Sequence, residues 1–251
     1  MTDRAAESDA AMRDLAATRR AYDTVAHDYA EILQSELAAK PYDRAMLAAF
    51  AELVRSGRTG DRVADLGCGP GRITAHLDEL GVDAFGLDLS PQMIAVARAR
   101  HPTLSFDVGS IEATSIPNGT LAGLVAWYSI IHTPPERLPA VFTEFARVLA
   151  PRGVALLAFQ AASDAAVPDA GVPDVGVPDA GVPDATMWGG AEPRHITHAY
   201  GHDIELDAYR LVPGRIGEQL ADAGFAVEAT LIREPDDDER TRQAFLLARL
   251  R

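Results

Sequence analysis

"VADLGCGPGR", residues 63–72, is the stretch on which the reading of this chain turns. A short apolar run ends in a loop with glycine at alternate positions, Gly67, Gly69 and Gly71, and Arg72 opens a helical pattern. Glycines at such a turn let the backbone reverse sharply and approach a ligand with no Cβ in the way. The dinucleotide pattern G-x-G-x-x-G is missed by one place, because the third glycine falls early and Arg72 holds its position. The Gly-Lys-Ser/Thr of a P-loop is absent.

Working outward, strands alternate with helices. "DAFGLDLS" reads as a second strand, and Ser90-Pro91 caps the helix behind it, with serine as acceptor and proline at the first helical position. "LSFDVGS", "LAGLVAWYSI" and "GVALLAFQ" read as strands three to five, with a helix over 139–149 before the fifth. No hairpin turns separate them, so the pattern predicts βαβ units and a parallel sheet. Upstream, helical spacing covers Ala21 to Leu37 and Tyr42 to Arg55, while residues 1–20 read as an acidic N-terminal extension, a frayed or loosely docked helix. Downstream, "RIGEQLADAGF" is an amphipathic helix, and "AVEATLIRE" with "AFLLARL" reads as a terminal antiparallel pair. The expected fold is therefore α/β: a single domain over 21–251, Rossmann-like, with helices on both faces of a mostly parallel sheet.

One segment breaks this rhythm. Residues 167–186, "VPDAGVPDVGVPDAGVPDAT", are four near-copies of a five-residue unit. Proline and glycine recur every fifth residue, which stops helix and ladder alike, so the sequence predicts a flexible acidic insertion at 163–187. It stands either as a lid or as an expansion in a tolerant loop, since loop length costs little.

The 251 residues are enough for a full core, and 47% are hydrophobic. The net charge of −14 argues against nucleic acid and anionic membrane surfaces as partners. A single cysteine, Cys68, rules out an internal disulfide and fits a cytoplasmic protein. No apolar run approaches the ~20 residues of a membrane span, and the first residues show no secretion signal.

Two aspartates sharpen the reading of the loop. Asp65 lies two residues before the first glycine, where a carboxylate suits a cationic ligand and repels a pyrophosphate. Asp88 ends the second strand, at the spacing from which a carboxylate reaches ribose hydroxyls. S-adenosylmethionine brings an ammonium, a sulfonium and a ribose, and meets both conditions. "VADLGCGPGR", "GLDLSPQMIAVAR", "FDVGS", "AWYSIIH" and "RVLAPRGVALLAF" together resemble the successive motifs of class I S-adenosylmethionine-dependent methyltransferases. The resemblance runs from about Ala21 to the C-terminus and implies a seven-stranded sheet with its last strand antiparallel. It also implies Gly67 and Gly69 against the methionine and ribose, Asp65 near the ammonium, and Asp88 on the ribose hydroxyls. Leu89 and Met93 would lie against adenine, whose edge Gly109, Ser110 and Ile111 would hold. "YDTVAHDY" resembles an N-terminal motif whose aromatic rings, here Tyr22 and Tyr29, close over the cofactor; the alternative is two core tyrosines.

The methyl acceptor should sit beyond the fourth strand, at "AWYSIIHTPP". Trp127 offers an apolar wall, Tyr128 a hydrogen bond, and His132 a general base with a pKa near neutrality, or else a structural histidine. Acidic residues for a catechol-type metal site do not follow Tyr128, the flanks of an Asn/Asp-Pro-Pro-aromatic motif are missing, and Cys68 lies inside the glycine loop. A small-molecule acceptor is thus favoured, with no metal. His198, Tyr200 and His202 cluster after the repeats and read as a substrate lid, with Trp188 as a further wall; the alternative is a polar loop packed beneath the sheet edge. Two other classes stay open: a protein that binds the cofactor without transferring the methyl group, and a protein methyltransferase. The chain is expected to act as a monomer or homodimer.

Overall fold

Alternation along the first strand assigns its two faces. Ala64 and Leu66 enter one apolar cluster and Val63 the other, as the period of two in a strand requires. In the computed structural model, which describes residues 2–57, 60, 62–162, 193–236 and 239–251, with side chains from residue 10, this pattern organises a seven-stranded sheet. The repeat insertion and Trp188 lie outside the described residues.

The chain opens with α1 (Thr2–Ile32), α2 (Glu36–Ala39) and α3 (Pro41–Ser56). Then follow β1 (Arg62–Leu66), α4 (Arg72–Glu79), β2 (Asp83–Asp88), α5 (Pro91–Arg100), β3 (Ser105–Val108) and β4 (Leu121–Trp127). A 3₁₀ turn over Ile130–His132 leads to α6 (Leu138–Val148) and β5 (Leu149–Gln160). Beyond the insertion come β6 (Arg194–Ala199), β7 (His202–Ala208), α7 (Pro213–Asp222), β8 (Phe225–Arg233) and β9 (Gln243–Leu250). The sheet order is β3-β2-β1-β4-β5-β9-β8, with β9 antiparallel to both neighbours and the first five strands parallel. The expected architecture, including the antiparallel last strand, is what the chain adopts.

Helices cover both faces. Phe142 and Phe145 of α6 and Leu220 of α7 pack on one, Leu47 and Phe50 of α3 and Leu77 of α4 on the other. Burying each such side chain contributes about 1.5–3 kcal/mol. Ser90 caps α5 as its sequence predicts, its Oγ accepting from the Met93 N–H at 3.0 Å.

The helix expected from Ala21 begins within the segment read as an extension, since α1 runs unbroken from Thr2 to Ile32. One expectation needs correction. The residues after the insertion form a β6–β7 antiparallel hairpin rather than a loop over the substrate. That hairpin packs on α1 and α5 through Ile196, Ile204, Val25, Ala26 and Met93, a third apolar cluster beside the main sheet.

Candidate functional site

The strand order reverses between β1 and β4, and open α/β sheets bind ligands outside the strand ends at such a switch point. A cavity opens there, lined by α1, the glycine loop and the ends of β2, β3 and β4. Its floor includes Gly67, Gly69, Asp88, Leu89 and Met93, and its far wall Trp127, Tyr128 and His132. Tyr22 and Tyr29 of α1 close it from above, and Ser110 with Ile111 form the β3 side. Thus the structure brings to one cavity most of the residues predicted from sequence.

The glycine loop needs its glycines. Gly67 has φ +78°, and a Cβ there would lie 2.3 Å from the Ser129 Cβ. The Gly69 N–H instead donates to Asp88 Oδ2 at 2.8 Å, and the Ser90 N–H to Oδ1 at 2.8 Å. Burial raises the Asp88 pKa to about 6 against the pull of these two donors. Asp88 therefore stands fixed in direction, ionised at neutral pH, at the end of β2.

Asp65 does not figure among the lining residues. It points from β1 toward α4, completely buried, with Oδ2 accepting from Thr74 Oγ1 at 2.7 Å and Oδ1 without a hydrogen-bond partner among the described residues. Burial raises its pKa to about 7. Any influence on a ligand is through its field, across the loop, rather than by direct contact. Gly109 is also set back, its N–H donating to the Asp88 carbonyl and its Cα against Leu87. Cys68 is buried against Ile94, Ala97 and Phe106, and burial pushes its thiol well up, which makes it a packing residue.

At the acceptor end, Tyr128 holds φ +55°, uncommon for a residue with a side chain and costly to maintain. Its N–H donates to the Ala158 carbonyl, and its ring meets Trp127 edge-on at 5.9 Å. His132 is part-buried and is bonded at both ring nitrogens. Nδ1 lies 2.8 Å from the Asp207 carbonyl, which can only accept, so Nδ1 carries the proton. Nε2 is then the acceptor for the Tyr22 hydroxyl at 2.6 Å. Burial lowers the His132 pKa, partly offset by the Asp207 carbonyl and carboxylate, and leaves a neutral imidazole. Burial likewise raises Tyr22 well above the ordinary phenol.

The predicted substrate residues of the hairpin are elsewhere. His198 Nδ1 bonds Asp203 at 2.9 Å and His202 Nε2 bonds Asp28 of α1 at 2.7 Å, both outside the cavity wall. Their role is to tie the hairpin to itself and to α1. Tyr200 stacks edge-on against Tyr29 at 5.1 Å and supports the roof without lining the cavity.

Several lining residues escaped the sequence reading. Leu15 and Thr18 of α1 are among them, as are Ser129, Thr133, Glu112 and Arg137. The Ser129 Oγ is buried with no partner among the described residues, which points it out as a donor awaiting an acceptor. Leu15, Thr18, Tyr22 and Tyr29 share a helical stripe, so extending the periodicity of α1 upstream of Ala21 would have found the first two.

An open α/β sheet with a glycine loop and a cavity at its switch point is the architecture in which α/β domains bind nucleotide-like ligands. Comparison with known proteins narrows the class. Residues 63–153 match the family model described as "Methyltransferase domain". The malonyl-[acyl-carrier protein] O-methyltransferase of Serratia marcescens is 33% identical over 107 residues, 43% of this chain and 41% of that protein. The magnesium-protoporphyrin O-methyltransferase of Rhodobacter capsulatus is 33% identical over 114 residues, 40% of this chain and 50% of that one. The chain thus matches half or less of the length of these relatives. The magnesium protoporphyrin IX methyltransferase of Synechocystis PCC 6803, solved with bound S-adenosylmethionine, superposes with a TM-score of 0.55 at 18% identity, over 83% of this chain and 79% of that one. Residues 63–153 are thus similar to a methyltransferase domain, and the fold is the one shared by solved S-adenosylmethionine-dependent methyltransferases.

Proposed function

We propose that this protein binds S-adenosylmethionine and transfers its methyl group to a small-molecule acceptor. The observation that carries this reading is one cavity shared by Gly67, Gly69 and Asp88 at one end and the Tyr22–His132 pair at the other. The residues present fit the cofactor. Asp88, held by two backbone donors, is oriented to accept from a ribose diol; Leu89 and Met93 suit an adenine face; and the unpartnered Ser129 Oγ can bond the methionine end. Bound cofactor supplies an electrophilic methyl group on a sulfonium, which calls for an aligned nucleophile and little water.

The chain's own part is positioning and proton removal. Tyr22 and His132 both line the cavity, and the Tyr22 hydroxyl bonds His132 Nε2. An acceptor hydroxyl or amine gives its proton to Tyr22 Oη as the Tyr22 proton passes to His132 Nε2. The resulting imidazolium is held by the Asp207 carbonyl and lies near the Asp207 carboxylate. The lowered pKa of His132 keeps the ring unprotonated and ready at neutral pH. Tyr22, Tyr29 and Trp127 surround the path and exclude water. No helix among the described residues is long and apolar enough to cross a membrane.

The test is calorimetric titration with S-adenosylmethionine, with NAD as control, followed by S-adenosylhomocysteine release over an acceptor panel. Binding of the first nucleoside alone, with turnover, supports the reading. Binding without turnover on any acceptor would favour a protein that uses the cofactor without transferring its methyl group.

A further inference from the structure

Arg137 sits in the cavity wall, just after the 3₁₀ turn that carries His132. Among the described residues that line the cavity it is the single arginine or lysine. Its Nη1 donates to Asp14 Oδ2 at 2.8 Å and its Nη2 to Glu112 Oε1 at 2.5 Å. Nε is buried and has no partner among the described residues. A guanidinium has five donors, and a buried one left unmade is costly, so this side chain retains capacity for another acceptor.

The two carboxylates differ. Glu112 is itself a lining residue and its side chain is 21% exposed; Asp14, outside the lining, is 46% exposed on α1. An incoming anion would meet Asp14 as the partner more easily returned to water. Exchange of one carboxylate for another leaves the local charge unchanged, whereas a dianion would add charge beside Glu112 and Asp88. The protein as a whole, at −14, repels anions, so an anionic acceptor needs one local cation to be held.

We infer that Arg137 is the acceptor-specificity residue: it anchors a carboxylate of the small-molecule acceptor, which takes the place of Asp14 on the guanidinium. The inference rests on the cavity being the acceptor site, as proposed above. Asp14 holds the cation in place until that exchange, and Glu112 holds it throughout. Bidentate geometry makes arginine the suitable side chain, since lysine offers a point charge without a fork.

The test uses the full chain, with and without saturating S-adenosylhomocysteine. Benzoate, 4-hydroxybenzoate and adipate are titrated beside their amides, with phenyl phosphate as the doubly charged control. The carboxylates are expected to bind at least about tenfold more tightly than the amides. Arg137→Gln should erase that preference, Arg137→Lys should keep part of it, and Asp14→Asn should tighten carboxylate binding by removing the competitor. Melting temperatures of all three variants establish that they fold. Amides binding as well as acids, a preference that survives Arg137→Gln, tighter binding of phenyl phosphate than of benzoate, or no carboxylate binding at millimolar concentration would each overturn the assignment. An unchanged affinity in Asp14→Asn would overturn the exchange. Failure of S-adenosylhomocysteine to bind would count against the cofactor reading alone, because the carboxylate titrations are also read on the protein without it.

Discussion

Replacing Asp65 by asparagine tests how the loop is held. The carboxyl is fully buried behind the glycine turn, with one oxygen bonded by Thr74 and the other without a partner among the described residues. Burial moves its pKa from an ordinary 3.8 to about 7. Because the folded pKa is raised, the carboxyl's stabilising contribution is full below the unfolded value and is lost as pH rises through about 7. Over the whole range the loss is about 4 kcal/mol, and between about pH 5 and about pH 9 it is about 3 kcal/mol. Asparagine does not titrate. At about pH 5 it should be destabilising by about 1–3 kcal/mol, because its N–H₂ replaces an oxygen with no acceptor nearby. At about pH 9 that deficit should vanish or reverse. Urea unfolding of the two proteins across this range reads the difference directly, and other buried carboxyls cancel to first order. Parallel stability curves would refute the reasoning, and so would a variant that fares worse in alkali than in acid. The same substitution should weaken S-adenosylmethionine binding above about pH 7, where the carboxyl is ionised and its field favours a cationic ligand.

Tyr22→Phe breaks the hydrogen bond to His132 and should lower turnover by about 10²–10⁴-fold while leaving cofactor affinity within about twofold, measured by S-adenosylhomocysteine release and calorimetry. The wild-type rate should fall on the acid side as His132 protonates, with an apparent pKa below the usual 6.5, and a pH–rate profile flat through that region would contradict the relay. Asp88→Asn should weaken the cofactor by about 1.5–3 kcal/mol, and wild-type affinity should decline as pH drops through about 6. Gly67→Ala combines a left-handed backbone with a Cβ 2.3 Å from Ser129, so a loss of at least about 2 kcal/mol in unfolding free energy is expected; a variant as stable as wild type would mean that the loop readily moves.

Much of the fold was legible because it is local. The period of two through Val63, Ala64, Asp65 and Leu66, the Ser90-Pro91 cap and the terminal alternation each depend on neighbours in sequence. The cofactor end of the site was legible for the same reason, since Gly67, Gly69 and Asp88 lie on two consecutive strand ends. What escaped depends on contacts between distant segments. Asp28 meets His202 across 174 positions and Arg137 meets Asp14 across 123, and neither pairing leaves a mark in periodicity or spacing. A dense run of histidines suggested a polar lid, yet each described one on the hairpin meets a carboxylate, and the run reads as the polar edge of a β-hairpin. Residues 1–20 looked loose because their alanine and charge content hides the stripe that Leu15 and Thr18 add to Tyr22.

The imidazole of His132 is oriented by a main-chain carbonyl, that of Asp207. Every amino acid carries that group, so position 207 is free to drift without disturbing which ring nitrogen bears the proton. A mutational scan at 207 would read the carboxylate, through the His132 pKa and the bond to His195, and not the carbonyl that sets the tautomer. The part of this site most resistant to substitution is therefore the part that inheritance has least reason to mark, and only a change in the path of β7 itself would reveal it.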